Sequence, residues 1–252
     1  KSKYYMTIIM AIIVVFCYVS MHLIETASFG SRAAGRLSNN LALGTTIHYS
    51  LYTASRFMLV FLLPGLGFLV ESGIDFQGYF AIAISSLFIT SIFSYLILVK
   101  FNSIQFFFQK VFIAYKHSSI PMAFYKAIFN SSKFDNVTLE LNSNFSLKAF
   151  SVKKLVIAFC AYCFLSSGFF VSFLLAMEFT EYRLTFSQFT AAFHGIGALI
   201  VSFYLDPMLS RSIDFVQNKD EWLVDLYSIV FGRVMAYLAT SLMFLICYYL
   251  FY

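Results

Sequence analysis

The chain has 252 residues, 60% of them hydrophobic and only 12% charged, with a mean hydropathy of +0.80 and a formal net charge of +5. A soluble domain carries about 25% charged residues, and a larger core cannot explain the deficit, because a soluble surface still needs polar side chains. Composition therefore excludes a water-soluble globular protein and predicts an all-α polytopic membrane protein, whose positive charge reports topology and not a nucleic-acid partner. The 33 Phe and 17 Tyr suit a lipid-facing surface with aromatic belts at its edges.

A helix needs about 20 residues to cross the hydrocarbon core. Six apolar runs meet that length or approach it: 5–24, 41–63, 79–99, 154–177, 188–205 and 222–252. The first contains an uncharged stretch, 7–21, followed not by a small-residue cleavage site but by HLIETASFGSRAAGRL, so no cleavable signal peptide is expected. If the first helix continues past Ile24, then Tyr18, His22, Glu25, Phe29, Arg32 and Arg36 fall on one stripe at steps of three and four. That stripe predicts a polar face lining an interior. Gly30, Ala33, Ala34 and Gly35 beside it permit close approach of another helix. Arg32 and Arg36 read equally as positive-inside anchors or as forks for phosphate oxygens, and Glu25 as the carboxylate that holds an arginine when no ligand is bound.

In the second run Thr45, His48, Tyr52, Ser55 and Arg56 share a face. Arg56 lies eight residues inside the end of the run. A charge at that depth costs about 2.5–3.5 kcal/mol on insertion scales, so it should face a cavity or a partner; Glu25, Glu71 and Asp225 are the candidate partners for it and for Arg233. The third connection, 100–153, mixes aromatics with spaced lysines. It predicts one or two amphipathic helices lying on the membrane face and broken at Pro121, then a polar loop or small hairpin over 130–146. Cys160 and Cys163, spaced CxxC within the fourth run, read as small buried thiols. The fifth run holds His194 among Gly195 and Gly197 and ends at Asp206-Pro207. In the sixth, Arg233 has Asp225 two turns earlier and Tyr237 one turn later. His48 and His194 read more readily as packed helix histidines than as proton carriers. No HxxxH, HExxH, spaced carboxylate pair or Walker motif occurs in the sequence, so no metal, cofactor or ATP hydrolysis is expected.

The first, third and fifth connections hold 12 Lys and Arg, against three (Lys1, Lys3, Arg183) on the other side. By the positive-inside bias those connections are cytoplasmic and both termini lie outside. The halves also echo each other. Arg36-Leu37-Ser38, His48, Pro64 and Ile74-Asp75-Phe76 match Arg183-Leu184-Thr185, His194, Pro207 and Ile213-Asp214-Phe215 in the same order. Three spans per copy make the second copy inverted, a recurrent plan in transporters. The expected organisation is a first three-helix repeat (1–99), a basic cytoplasmic connection (100–153) and a second three-helix repeat (154–252).

HLIETASFGSRAAG resembles the pattern H-x-I-[ED]-T-x-[SA]-[YF]-x-x-R-x-A-G. Ser55-Arg56, PGLGFLVE over 64–71 and DPMLS over 206–210 follow it. Together these resemble the Amj family of lipid II flippases, the alternate to MurJ, across most of the chain; RVMAYLAT after Arg233 departs from the glycine- and threonine-containing stretch found there in the family. The resemblance implies a non-enzymatic transporter in the bacterial inner membrane. It would carry the undecaprenyl-pyrophosphate-linked disaccharide-pentapeptide, lipid II, for peptidoglycan synthesis, with membrane lipids as its other partners and homo-oligomerisation left open. The expectation is alternating access, with Arg56 and Arg233, then Arg32 and Arg36, gripping the pyrophosphate and Glu25, His22, His48, Tyr52 and His194 lining the same interior. The competing readings are a carrier of another lipid-linked glycan or a small solute, a membrane-embedded prenyl-phosphate enzyme, and an assembly subunit in which those arginines are dispensable.

Overall fold

The computed structural model describes residues 2–129, 150–215 and 219–251, which are helical almost throughout and contain no strand. Lys1, the expected loop or hairpin with its Lys133, and Lys148 lie outside the described residues.

Six helical stretches are long and apolar enough to cross a membrane. Helix α1 (Ser2–Leu37) is one unbroken helix, so the charged stripe does continue past Ile24. The second span is α2 (Leu41–Ser55), a 3₁₀ turn (Arg56–Met58) and α3 (Leu59–Glu71), which passes through Pro64 and runs beyond the expected end at residue 63. Helix α4 (Phe76–Val99) starts at Asp75, whose side chain accepts from the Gly78 N–H and satisfies one orphan donor of the first turn. Then come α5 (Phe101–Tyr115) and α6 (Ile120–Phe129). The break between them falls before Pro121, not at it. Proline at the start of a helix removes an N–H that had no partner anyway, so Pro121 begins α6.

In the second half, α7 (Val152–Glu178) leads through a short 3₁₀ turn into α8 (Arg183–Ile200), a π-helical turn (Val201–Leu205) and α9 (Asp206–Phe215); α10 (Lys219–Phe251) closes the chain. The fifth span is thus Thr180–Ile213, longer than expected. Pro207 cannot bond the preceding turn and its ring crowds that turn's carbonyl. The widened π turn just before it keeps the chain helical through the break, a device found often at functional sites.

Two apolar cores are stacked along the bundle, and a third cluster joins α5 and α6 to α1 and α2. One joins Val14, Leu66, Tyr79, Phe170 and Phe244 near the end that carries both termini. The other joins Phe29, Phe101, Leu165, Leu209, Trp222 and Leu226 near the end that carries α5 and α6. These are called below the terminal end and the basic end. Helix α1 packs on α2, α3 and α4, and α7 packs on α8 and α10, so each half has its first helix against the other two; α4 and α10 join the halves. Helix α8, by contrast, rests chiefly on α7.

The α1–α2 crossing is a close backbone-to-backbone contact. A Cβ at Gly44 would lie 2.6 Å from the Ser31 carbonyl oxygen and 2.9 Å from Gly35 Cα. Ser31 Oγ donates to the Gly44 carbonyl at 2.9 Å. Both neighbours are backbone and cannot yield cheaply. Gly44→Ala is expected to destabilise the protein by about 1–3 kcal/mol, read as a lower unfolding temperature in detergent, whereas Gly195→Ala, where a Cβ meets nothing within 4 Å, leaves it unchanged or slightly raised.

Candidate functional site: a charged layer between two chambers

The stripe on α1 is buried as its spacing predicts: Tyr18, His22, Glu25, Phe29 and Arg32 are all at most 5% exposed. Glu25 sits between the two apolar cores and clamps two arginines. One carboxylate oxygen accepts from Arg233 Nη2 at 2.5 Å. The other lies 3.0 Å from Arg56 Nη2 and accepts from Ser55 Oγ at 3.2 Å. Of the three candidate acids, Glu25 is therefore the partner of both guanidiniums. Asp225 forms its ion pair with Lys154 nearer the basic end.

Arg233, 1% exposed, has the more complete set of partners. Its Nε donates to Tyr237 Oη at 2.6 Å, its Nη2 donates to the His22 carbonyl at 3.4 Å, and its guanidinium lies 4.4 Å over the Tyr162 ring. The Tyr237 hydroxyl stands 3.0 Å from His22 Nδ1, in hydrogen-bond contact, completing a chain from α10 to α1. Arg56 is a quarter exposed, stacks 4.4 Å over the Tyr52 ring and donates to its hydroxyl at 2.5 Å. The 3₁₀ turn begins at Arg56, so the side chain leaves the helix at its discontinuity.

One carboxylate facing two guanidiniums leaves the layer with one net positive charge. Apolar cores above and below deprive that charge of water's screening, which strengthens its pull on any anion that reaches it.

A second layer lies toward the basic end. Arg32 Nη1 donates to Asp206 Oδ1 at 2.9 Å, and the Tyr49 hydroxyl donates to Asp206 Oδ2 at 3.1 Å. One turn further on, Arg36 Nη1 reaches the Ile213 carbonyl at 3.5 Å. These bonds tie α1 and α2 to the turn that opens α9. His48, 6% exposed, has Nδ1 2.8 Å from Ser28 Oγ.

Two chambers flank the charged layer. The smaller, about 100 Å³, lies between it and Asp206; its walls include Phe29, His48, Tyr52, Tyr162, Leu205 and Arg233. The larger, about 510 Å³ and more open, extends from Arg56 toward the terminal end between α3, α7 and α8; Leu59, Leu63, Phe173, Gln188 and His194 wall it. Neither ring nitrogen of His194 has a hydrogen-bond partner. Its ring packs 4.2 Å from Phe169, and both nitrogens are covered by the surrounding side chains.

The structure thus brings His22, Glu25, Arg56 and Arg233 into one layer, with Tyr52 against Arg56. Arg32 and His48 lie a layer away, His194 stands in the larger chamber, and Arg36 lies at the basic end. Asp206, Tyr49, Tyr162 and Ser28 enter only with the structure. Asp206 carries a signal in retrospect, an acid placed at a proline break inside an apolar run; Tyr162 carries none that separates it from 16 other tyrosines. Among the described residues no group of three or more His, Cys, Asp or Glu is placed to hold a metal ion.

The fold and the site together define a polytopic membrane protein with a buried, net positive layer and a chamber on each side of it. Residues 17–249 match the family model described as Amj, Alternate to MurJ, and the chain belongs to that family. No curated protein and no solved structure matches it.

Proposed function

We propose that the protein is a flippase that moves the undecaprenyl-pyrophosphate-linked peptidoglycan precursor, lipid II, across the bacterial inner membrane, with Arg56 as the contact for its pyrophosphate. The observation that carries this reading is the uncompensated positive charge of the Glu25–Arg56–Arg233 layer, with Arg56 open to the larger chamber. Family membership supports the substrate, because an alternate to MurJ serves the same precursor. Arg233 and Glu25 are buried positioning groups that fix Arg56 at the chamber wall. His194 belongs to the same chamber wall.

The chamber has the size of a small-molecule pocket, suited to the pyrophosphate and the nearest sugar. The rest of the headgroup extends through the open side, and the prenyl tail stays in lipid along the gap beside α8. The excess of Lys and Arg supports a cytoplasmic basic end with both termini outside; Arg32, engaged with Asp206, leaves that count without changing its sign. An anion moving outward is then favoured by the membrane potential, at about 2.3 kcal/mol per charge per 100 mV.

The test is the extracellular accessibility of labelled lipid II in cells where this protein is the sole candidate flippase. Accessible lipid II that disappears when the protein is depleted is the expected result. Persistent accessibility without the protein, or none with it, removes the reading. A metal-independent chemical conversion of a prenyl phosphate by the purified protein would instead establish the enzyme.

A further inference from the structure

The two chambers are lined by corresponding positions of the two halves in exchanged order. The stretch around His48 walls the small chamber, and the stretch around His194 walls the large one. Past the helix break in each half the assignment reverses. Arg56 to Gly67, bracketing Pro64, walls the large chamber; Ala198 to Leu209, bracketing Pro207, walls the small one. The residue preceding each proline faces its chamber, Leu63 in one and Asp206 in the other. This is the arrangement an inverted repeat produces when its two chambers are alternative forms of one another.

At that position the two halves differ in chemistry. Asp206 binds Arg32 and Tyr49 across the mouth of the small chamber. Across the large chamber the equivalent position is an aliphatic Leu63, and among the described residues no hydrogen bond or ion pair joins α3 to α8. We infer that the Arg32–Asp206–Tyr49 set is an ionic latch that holds the basic end shut while the terminal end is open, and that the protein alternates with a second conformation in which the latch is broken, the small chamber is wide and the large one is narrow.

The 3₁₀ turn at Arg56–Met58 and the π turn at Val201–Leu205 are the hinges. The first begins in the charged layer and the second walls the small chamber beside it, and irregular turns are where a helix absorbs a change of direction. The tight Gly35–Gly44 contact keeps α1 and α2 together, and the close approach of Gly197 to the Ala161 carbonyl keeps α8 on α7, so the moving partner across the latch is α9, beyond the π turn. The inference rests on the transport reading, but its test does not use the transported molecule.

The four native cysteines are replaced by alanine, and single reporters are placed at Ile229, a 1% exposed wall of the small chamber, and at Ala191 in the large one. Reaction with a water-soluble maleimide is timed in permeabilised membranes. Asp206→Asn is expected to speed labelling of Ile229→Cys about tenfold, a typical coupling between a switch and its conformation, and to slow labelling of Ala191→Cys. Tyr49→Phe, which removes one link and keeps the ion pair, gives a smaller shift in the same directions and serves if Asp206→Asn does not accumulate. Unchanged rates in both variants overturn the latch. So does an equal acceleration in Asp225→Asn, which breaks the Lys154 pair instead, because it would signal general loosening. A failed flipping assay alongside a positive labelling result would leave the latch standing and remove only the substrate.

Discussion

Replacing Glu25 with alanine is expected to cost the folded protein about 3–5 kcal/mol, because it strands a buried charge without its partner. The carboxylate is 2% exposed and is the ion-pair partner of both Arg233 and Arg56. Arg233, 1% exposed at the wall of the small chamber, retains Tyr237, the His22 carbonyl and the Tyr162 ring, all neutral. The measurable result is a several-fold drop in membrane abundance and a lower unfolding temperature in detergent. The double variant Glu25→Leu with Arg233→Met removes both buried charges together, and replacement of a buried pair by apolar groups is often neutral. It should recover most of the lost stability. Normal stability of Glu25→Ala alone would show that the layer does not hold the bundle together.

Arg56→Ala is expected to do the reverse, abolishing transport while leaving the fold intact. Arg56 is a quarter exposed, and its loss leaves Glu25 paired with Arg233, so no buried charge is orphaned. What disappears is the net positive charge of the layer and the guanidinium fork at the chamber wall. Loss of a desolvated charge contact is worth about 2 kcal/mol or more, or about 30-fold in rate. Cells depleted of their main flippase should therefore not be rescued, although the variant reaches the membrane in normal amount. Arg56→Lys keeps the charge but neither the planar fork nor the stacking on Tyr52, and should rescue partially. Full rescue by Arg56→Ala would end the role assigned to the arginine.

Much of this was legible in the sequence because the bilayer imposes simple rules. The number of spans follows from hydrophobic length, and the α1 stripe from the 3.6-residue period, which correctly put His22, Glu25 and Arg32 on one buried face. The glycines at 30 and 35 announced close approach, and the structure supplies α5 and α2 as the helices that come near. Pairing was not legible. Glu25 is 208 residues from Arg233, and three acids were equally plausible on spacing; only the packing of α10 beside α1 and α4 decides among them. The Arg32–Asp206 pair was hidden for the same reason. The helix through Pro207 was missed because sequence rules treat Asp-Pro as a stop, whereas the π turn carries the chain past it. Pro64, just past the expected end of the second run at residue 63, lies inside α3.

The loose seating of α8 has a consequence for how the protein must be handled. Leu184, Phe189, Ile196 and Leu199, and Phe203 and Tyr204 beyond them, turn at least 41% of their surface outward, while the helix leans chiefly on α7. In a bilayer that outward side meets acyl chains, so annular lipid would complete this wall in the way a subunit does. Purification in a small detergent micelle would strip that component away, and bilayer thickness and fluidity become parameters of the protein's own shape.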